Sequence, residues 1–159
     1  MVGNMSDAPH GARSDSQVDA EAFALAATEL TVQGCPPLRQ HQVVTFGDVK
    51  VKPDGLGVDS QGRVWAAEVF TRPGRMRGGQ LHKVSTDAER LRVVSKVHKG
   101  ARLLIVLTSQ QAADSVRRWQ AALWRDDGIE VVVVDLPAES EAAVKAAVAV
   151  QRRSNMAKD

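Results

Sequence analysis

The sequence holds a single cysteine, Cys35, among 159 residues. One thiol makes neither an internal disulfide nor a cysteine-based zinc site, so a disulfide scaffold is excluded. Cys35 precedes Pro36-Pro37 in an expected loop with no base placed to activate it. It reads as an incidental thiol of a cytoplasmic chain. Long apolar runs are missing as well. The longest, Leu103–Leu107 and Val131–Val134, have strand length, far short of the ~18–20 residues that span a bilayer. The first 17 residues carry no apolar stretch, so no secretory signal is expected. Gly55-Leu56-Gly57 begins like a dinucleotide fingerprint, but Ser60 stands at the third glycine position. There is no P-loop and no G-x-S-x-G elbow. His10, His41, His82 and His98 show no metal-ligand spacing.

Charge is nearly balanced overall, with a formal net of +2. The balance hides a local excess. Between Thr71 and Arg102 stand Arg72, Arg75, Arg77, Lys83, Arg90, Arg92, Lys96, Lys99 and Arg102 against only Asp87 and Glu89. A block of one sign is the footprint of a polyanionic partner or of a solvated basic surface.

Hydrophobic periodicity orders the rest. Residues 1–18 read as a disordered tail. Asp19–Thr31 reads as a helix capped by Asp19, with Phe23, Ala26, Ala27 and Leu30 on one stripe. Gln42–Phe46, Val49–Val58 and Arg63–Thr71 read as three strands of an antiparallel meander, with turns at Gly47-Asp48 and Asp59–Gly62. The third alternates: Val64, Ala66, Glu68 and Phe70 on one face, Trp65, Ala67 and Val69 on the other. Gln80–Val97 reads as a helix ended by Gly100, and Leu103–Leu107 as a strand buried on both faces. Thr108 or Ser109 caps a helix through Trp124 that carries Ala112, Val116 and Trp119 inward, and Gly128 closes it. Strand Ile129–Val134 and an alanine-rich helix from Pro137 complete the chain. The expected class is α/β, a mixed sheet with helices on both faces. The core domain spans residues 19–136, and residues 137–159 form a C-terminal helix and polar tail.

The chemistry concentrates at Pro53-Asp54 and Glu68. Strands joined by a turn lie ~4.7–4.9 Å apart, so the two carboxylates can face each other across the pair. Such a pair is costly unless a cation lies between them. Mg²⁺ prefers oxygen ligands and keeps several waters, and a metal so held activates water against a phosphodiester.

The pattern Pro53-Asp54…Glu68-Val69-Phe70, within an α-β-β-β-α-β order, resembles the PD-(D/E)XK, or restriction-endonuclease-like, nuclease superfamily. The resemblance covers roughly Asp19 to Asp135. It implies that core, extended here by a further helix, strand and C-terminal helix. It also implies Mg²⁺-dependent hydrolysis of nucleic acid, DNA in the first place, with Mn²⁺ as substitute. Asp54 and Glu68 would ligate the metal with the Val69 carbonyl, joined by an acid of the first helix, Glu29 before Glu21. The motif departs from the superfamily at its lysine, where Phe70 stands. Either the basic role has migrated to Lys83, as in some members, or the site has decayed and the fold survives as a module that binds nucleic acid or a protein. Arg72 is a poorer substitute, since a guanidinium stays protonated and cannot act as a base.

The loop Arg72–Gly79 leads into a helix N-terminus, where exposed N–H groups suit a phosphate. Arg72, Arg75, Arg77, Gly78 and Gly79 are therefore the expected nucleic-acid contacts. A chain this small offers little surface to encircle a duplex, which a homodimer would remedy.

Overall fold

The computed structural model describes residues 15–71 and 74–156. In chain order the described elements are α1 (Asp15–Val32), β1 (Val44–Phe46), β2 (Val49–Val51), β3 (Gly55–Val58), β4 (Val64–Phe70), α2 (Gly78–Val97), β5 (Arg102–Leu107), α3 (Gln110–Asp126), β6 (Ile129–Val133) and α4 (Ala138–Met156). Helix α1 starts earlier than its apolar stripe implies. Asp19 lies inside it rather than capping it, and residues 15–18 of the expected tail are helical. Residues 1–14 lie outside the described residues.

The expected three-strand meander is two hairpins in two sheets. Pro53 has no N–H to give a ladder. The chain breaks around it, β2 pairs back on β1, and β3 starts afresh with β4. The main sheet has order β3-β4-β5-β6. Its first pair is antiparallel, and the β4-β5 and β5-β6 pairs are parallel. Helices α2 and α3 make the crossovers, as the β-α alternation after β4 requires. Gly100 and Gly128 turn the chain out of α2 and α3 with φ of 78° and 75°, where a side chain would be strained. Ser109 caps α3, its hydroxyl accepting from the Ala112 N–H at 2.9 Å.

Alternation divides the interior into two layers. Ala66, Phe70, Leu103, Ile105 and Leu107 face α2 and α3, meeting Val84, Ala88, Leu91, Val94, Ala112, Val116 and Trp124. Trp65, Ala67, Leu104 and Val106 face the other way, meeting Ala26 and Leu30 of α1 together with Cys35. Helix α4 packs on α1 through Val144 and Ala22. The expected mixed sheet covered on both faces is thus what forms. Trp119 departs from expectation. It is 37% exposed, with its ring edge-on to His82 at 5.4 Å. No helix among the described residues is long and apolar enough to cross a membrane.

Candidate metal centre and its charged surround

The site begins at a turn. Asp59 Oδ1 accepts from the N–H groups of Gln61 and Arg63, each at 2.9 Å, and Oδ2 accepts from Trp65 Nε1 at 3.0 Å. The Trp65 bond above all holds the Asp59 carboxyl below its usual range. This network and Gly62 at φ 81° set the β3-β4 register, pairing Val58 with Val64 and Gly55 with Ala67. Just before the Gly55–Ala67 pair the chain brings Asp54 to Glu68, whose carboxyl feels the Asp54 charge and a side-chain hydrogen bond to it.

Two glycines let β3 lie where it does. A Cβ on Gly57 would meet the Pro37 carbonyl oxygen at 2.5 Å, and one on Gly55 would meet Phe23 at 2.9 Å. Gly55-Leu56-Gly57 is thus a close-approach device. Arg39 bridges Leu56 by two backbone bonds on the outer side of β3.

Asp54 Oδ2 accepts from the Val69 N–H at 2.8 Å, which fixes the carboxylate across the strand end. Glu68 is wholly buried. One of its oxygens, Oε2, lies 3.4 Å from Arg90 Nη1. Burial pushes the Glu68 carboxyl up to about 9, and the Asp54 carboxylate beside it adds to the rise. Arg90 opposes it. Arg90 Nη2 in turn lies 2.8 Å from Asp87 Oδ1. Asp87 is also buried, and its carboxyl is raised chiefly for that reason, with Arg90 and Lys83 pulling it down.

The structure thus brings Asp54 and Glu68 together. Lys83 is exposed and makes no ion pair with either, though its charge is felt at Asp87, one helical turn on. Val69 meets the site through its N–H. Glu29 is not brought to the pair: α1 packs on the opposite face of the sheet, through Ala26 and Leu30, and the charges acting on Glu68 come from Asp54, Arg90 and Asp87. Glu21 is exposed on the same helix. Phe70, at the motif lysine position, is a core residue packed among Met76 and Val84.

Arg75 and Arg77 are exposed on either side of buried Met76, which pins the loop to the core. The Ser109 hydroxyl donates to the Gly74 carbonyl at 3.2 Å, a second tie. Gly78 and Gly79 open α2 with empty space where a Cβ would sit, and the Gln80 side chain accepts from the Arg77 N–H at 3.1 Å. Arg72 lies outside the described residues.

Sequence reasoning missed Asp87 and Arg90 as members of this cluster. The signal was an acid and a base three residues apart on the flank of the apolar stripe Val84, Ala88, Leu91 and Val94.

The residues fit a hard divalent cation. Two carboxyl groups, Asp54 and Glu68, lie together, and all the donors are oxygens. Among the described residues no group of three or more His, Cys, Asp or Glu side chains is placed to hold a metal. Water and substrate oxygens would complete the shell, as Mg²⁺ prefers. Comparison with protein-family models, curated proteins and solved structures found no match.

Proposed function

We propose that the chain is a Mg²⁺-dependent hydrolase of phosphodiester bonds in nucleic acid, DNA first, of the PD-(D/E)XK type. The supporting observation is Asp54 beside wholly buried Glu68, whose carboxyl it helps to raise. Asp54 and Glu68 hold the cation, with Mn²⁺ able to replace Mg²⁺. When bound, the metal supplies a water of lowered pKa and a positive charge at the phosphoryl oxygens. Asp54 is oriented for this by the Val69 N–H. Lys83, Arg75 and Arg77 present cations on the exposed side, where the phosphate backbone of a duplex releases counter-ions to them. A second copy would extend this surface around a duplex, which light scattering of the chain with DNA would detect.

The test is cleavage of labelled duplex DNA with Mg²⁺. Asp54→Ala should abolish product while leaving the fold intact, and activity indifferent to that change removes the mechanism.

A second reading has its own support. Phe70 fills the lysine position with core, and Arg90 partly neutralises Glu68. Both suit a binding module that has lost catalysis. DNA binding that persists in EDTA with no product under Mg²⁺ selects this reading.

A further inference from the structure

We propose that Arg90 is a built-in counter-cation that blocks the Asp54–Glu68 pair against divalent metal, and that Asp87 is the anchor drawing it away. The inference rests on the metal-centre reading above and names what regulates that centre.

The guanidinium is a fork with two usable arms. One arm, Nη2, is close to Asp87 at 2.8 Å, and the other, Nη1, stands at 3.4 Å from Glu68. The contact with Glu68 is the longer and the more easily given up. The Arg90 side chain is also 37% exposed, so it has water to move into, whereas Glu68 has none. A cation held by the Glu68 carboxyl would share it with the Arg90 guanidinium, 3.4 Å from Oε2, in a poorly solvated place where like charges repel strongly. Arg90 therefore stabilises the metal-free centre and competes with the metal. Asp87 holds the other arm and divides the guanidinium between two carboxylates. With Asp87 replaced by Asn, Arg90 keeps only its contact with Glu68 and closes on it. Lys83 and Asp54 are the other charges that reach Asp87, and neither replaces this anchor, since Lys83 is exposed and Asp54 is bound to the Val69 N–H.

Two changes on one helix face thus act in opposite directions on metal affinity. A merely structural role would weaken binding in both. The experiment is Mn²⁺ titration, by calorimetry and by the electron-spin signal of unbound Mn²⁺, of the wild-type chain, Arg90→Gln, Arg90→Lys, Asp87→Asn and the double variant. Thermal unfolding checks that each variant is folded. Arg90→Gln should bind about tenfold tighter, and Arg90→Lys should return toward wild type. Asp87→Asn should bind at least about threefold weaker. In the double variant most of the Asp87→Asn loss should vanish, because the loss acts through Arg90. Binding by Arg90→Gln where wild type binds none would also support the inference. Should Arg90→Gln fail to fold, Arg90→Lys and Asp87→Asn carry the test, and an Asp87→Asn affinity equal to or above wild type overturns it. Unchanged or weaker binding by folded Arg90→Gln overturns this inference alone. No binding by any variant overturns the metal-centre reading with it.

Discussion

Strand β4 meets two different interiors. On the α1 side, Trp65 and Ala67 meet Ala26, Leu30, Leu104 and Val106 in an apolar layer whose charged groups, Asp59 and Arg102, sit only at the Trp65 edge. On the α2 side, Ala66 and Phe70 sit in an equally dry layer, but wholly buried Glu68 stands between them with Asp54, Asp87 and Arg90 gathered about it. Strand geometry is the same for both faces, so the difference lies in the side chains. One face is built for stability. The other carries a buried carboxyl, whose ionisation there costs free energy.

Truncation sharpens the contrast most. Leu104→Ala on the apolar face should cost about 2–5 kcal/mol of stability in urea unfolding. Glu68→Gln on the other face should do the reverse. Glu68 binds a proton in the folded chain up to about 9, against an ordinary value of 4.5. Between those values the folded state holds more protons than the unfolded one, so stability falls as pH rises. Asp87 is raised too and adds in the same direction. Glu68→Gln should match wild type near pH 4.5 and exceed it by roughly 1–3 kcal/mol above neutrality. A Glu68→Gln chain with the wild-type pH dependence would break the contrast.

Next in size is Gly57→Ala. The new Cβ meets the Pro37 carbonyl oxygen at 2.5 Å, which is backbone and yields little. A loss of about 1–3 kcal/mol is expected, and a neutral result would mean that the Pro37-Leu38 segment is not held against β3. The smallest effect belongs to the exposed loop. Arg75→Ala and Arg77→Ala should leave stability within about 0.5 kcal/mol. Each should lower the salt dependence of DNA binding by about one contact's worth. An unchanged salt slope would take the loop out of the nucleic-acid surface.

Much of the fold was legible because its strongest signals are local. Leu103–Leu107 has the continuous apolar run of a strand covered on both sides, and it lies at the centre of the parallel part of the sheet. Gly100 and Gly128 mark helix ends by their φ. The alternation of β4 correctly put Glu68 with Ala66 and Phe70. The break at Pro53 divides the expected second strand, since a missing N–H is reason enough to end a ladder. The pair itself was legible, because a turn-joined strand pair constrains two sequence-near residues. The Asp87–Arg90 spacing was legible on α2, but the Arg90 contact with Glu68 was not, because it forms only when α2 lies over β4, and helix packing is not written in a local period. The placement of Glu29 was illegible for the same reason, since nothing in its sequence neighbourhood tells which sheet face α1 covers.

The proposed centre needs Asp54 and Glu68 to hold a divalent cation jointly, and the most direct measurement is proton release on Mn²⁺ binding. Calorimetry at pH 7 in buffers of different ionisation enthalpy reads it. A Glu68 carboxyl raised to about 9 is protonated at that pH and must give up its proton to become a ligand. About one proton should be released per Mn²⁺ bound by the wild-type chain, and binding should be lost in Asp54→Asn and Glu68→Gln. Mn²⁺ binding that releases no proton and survives both substitutions would contradict it.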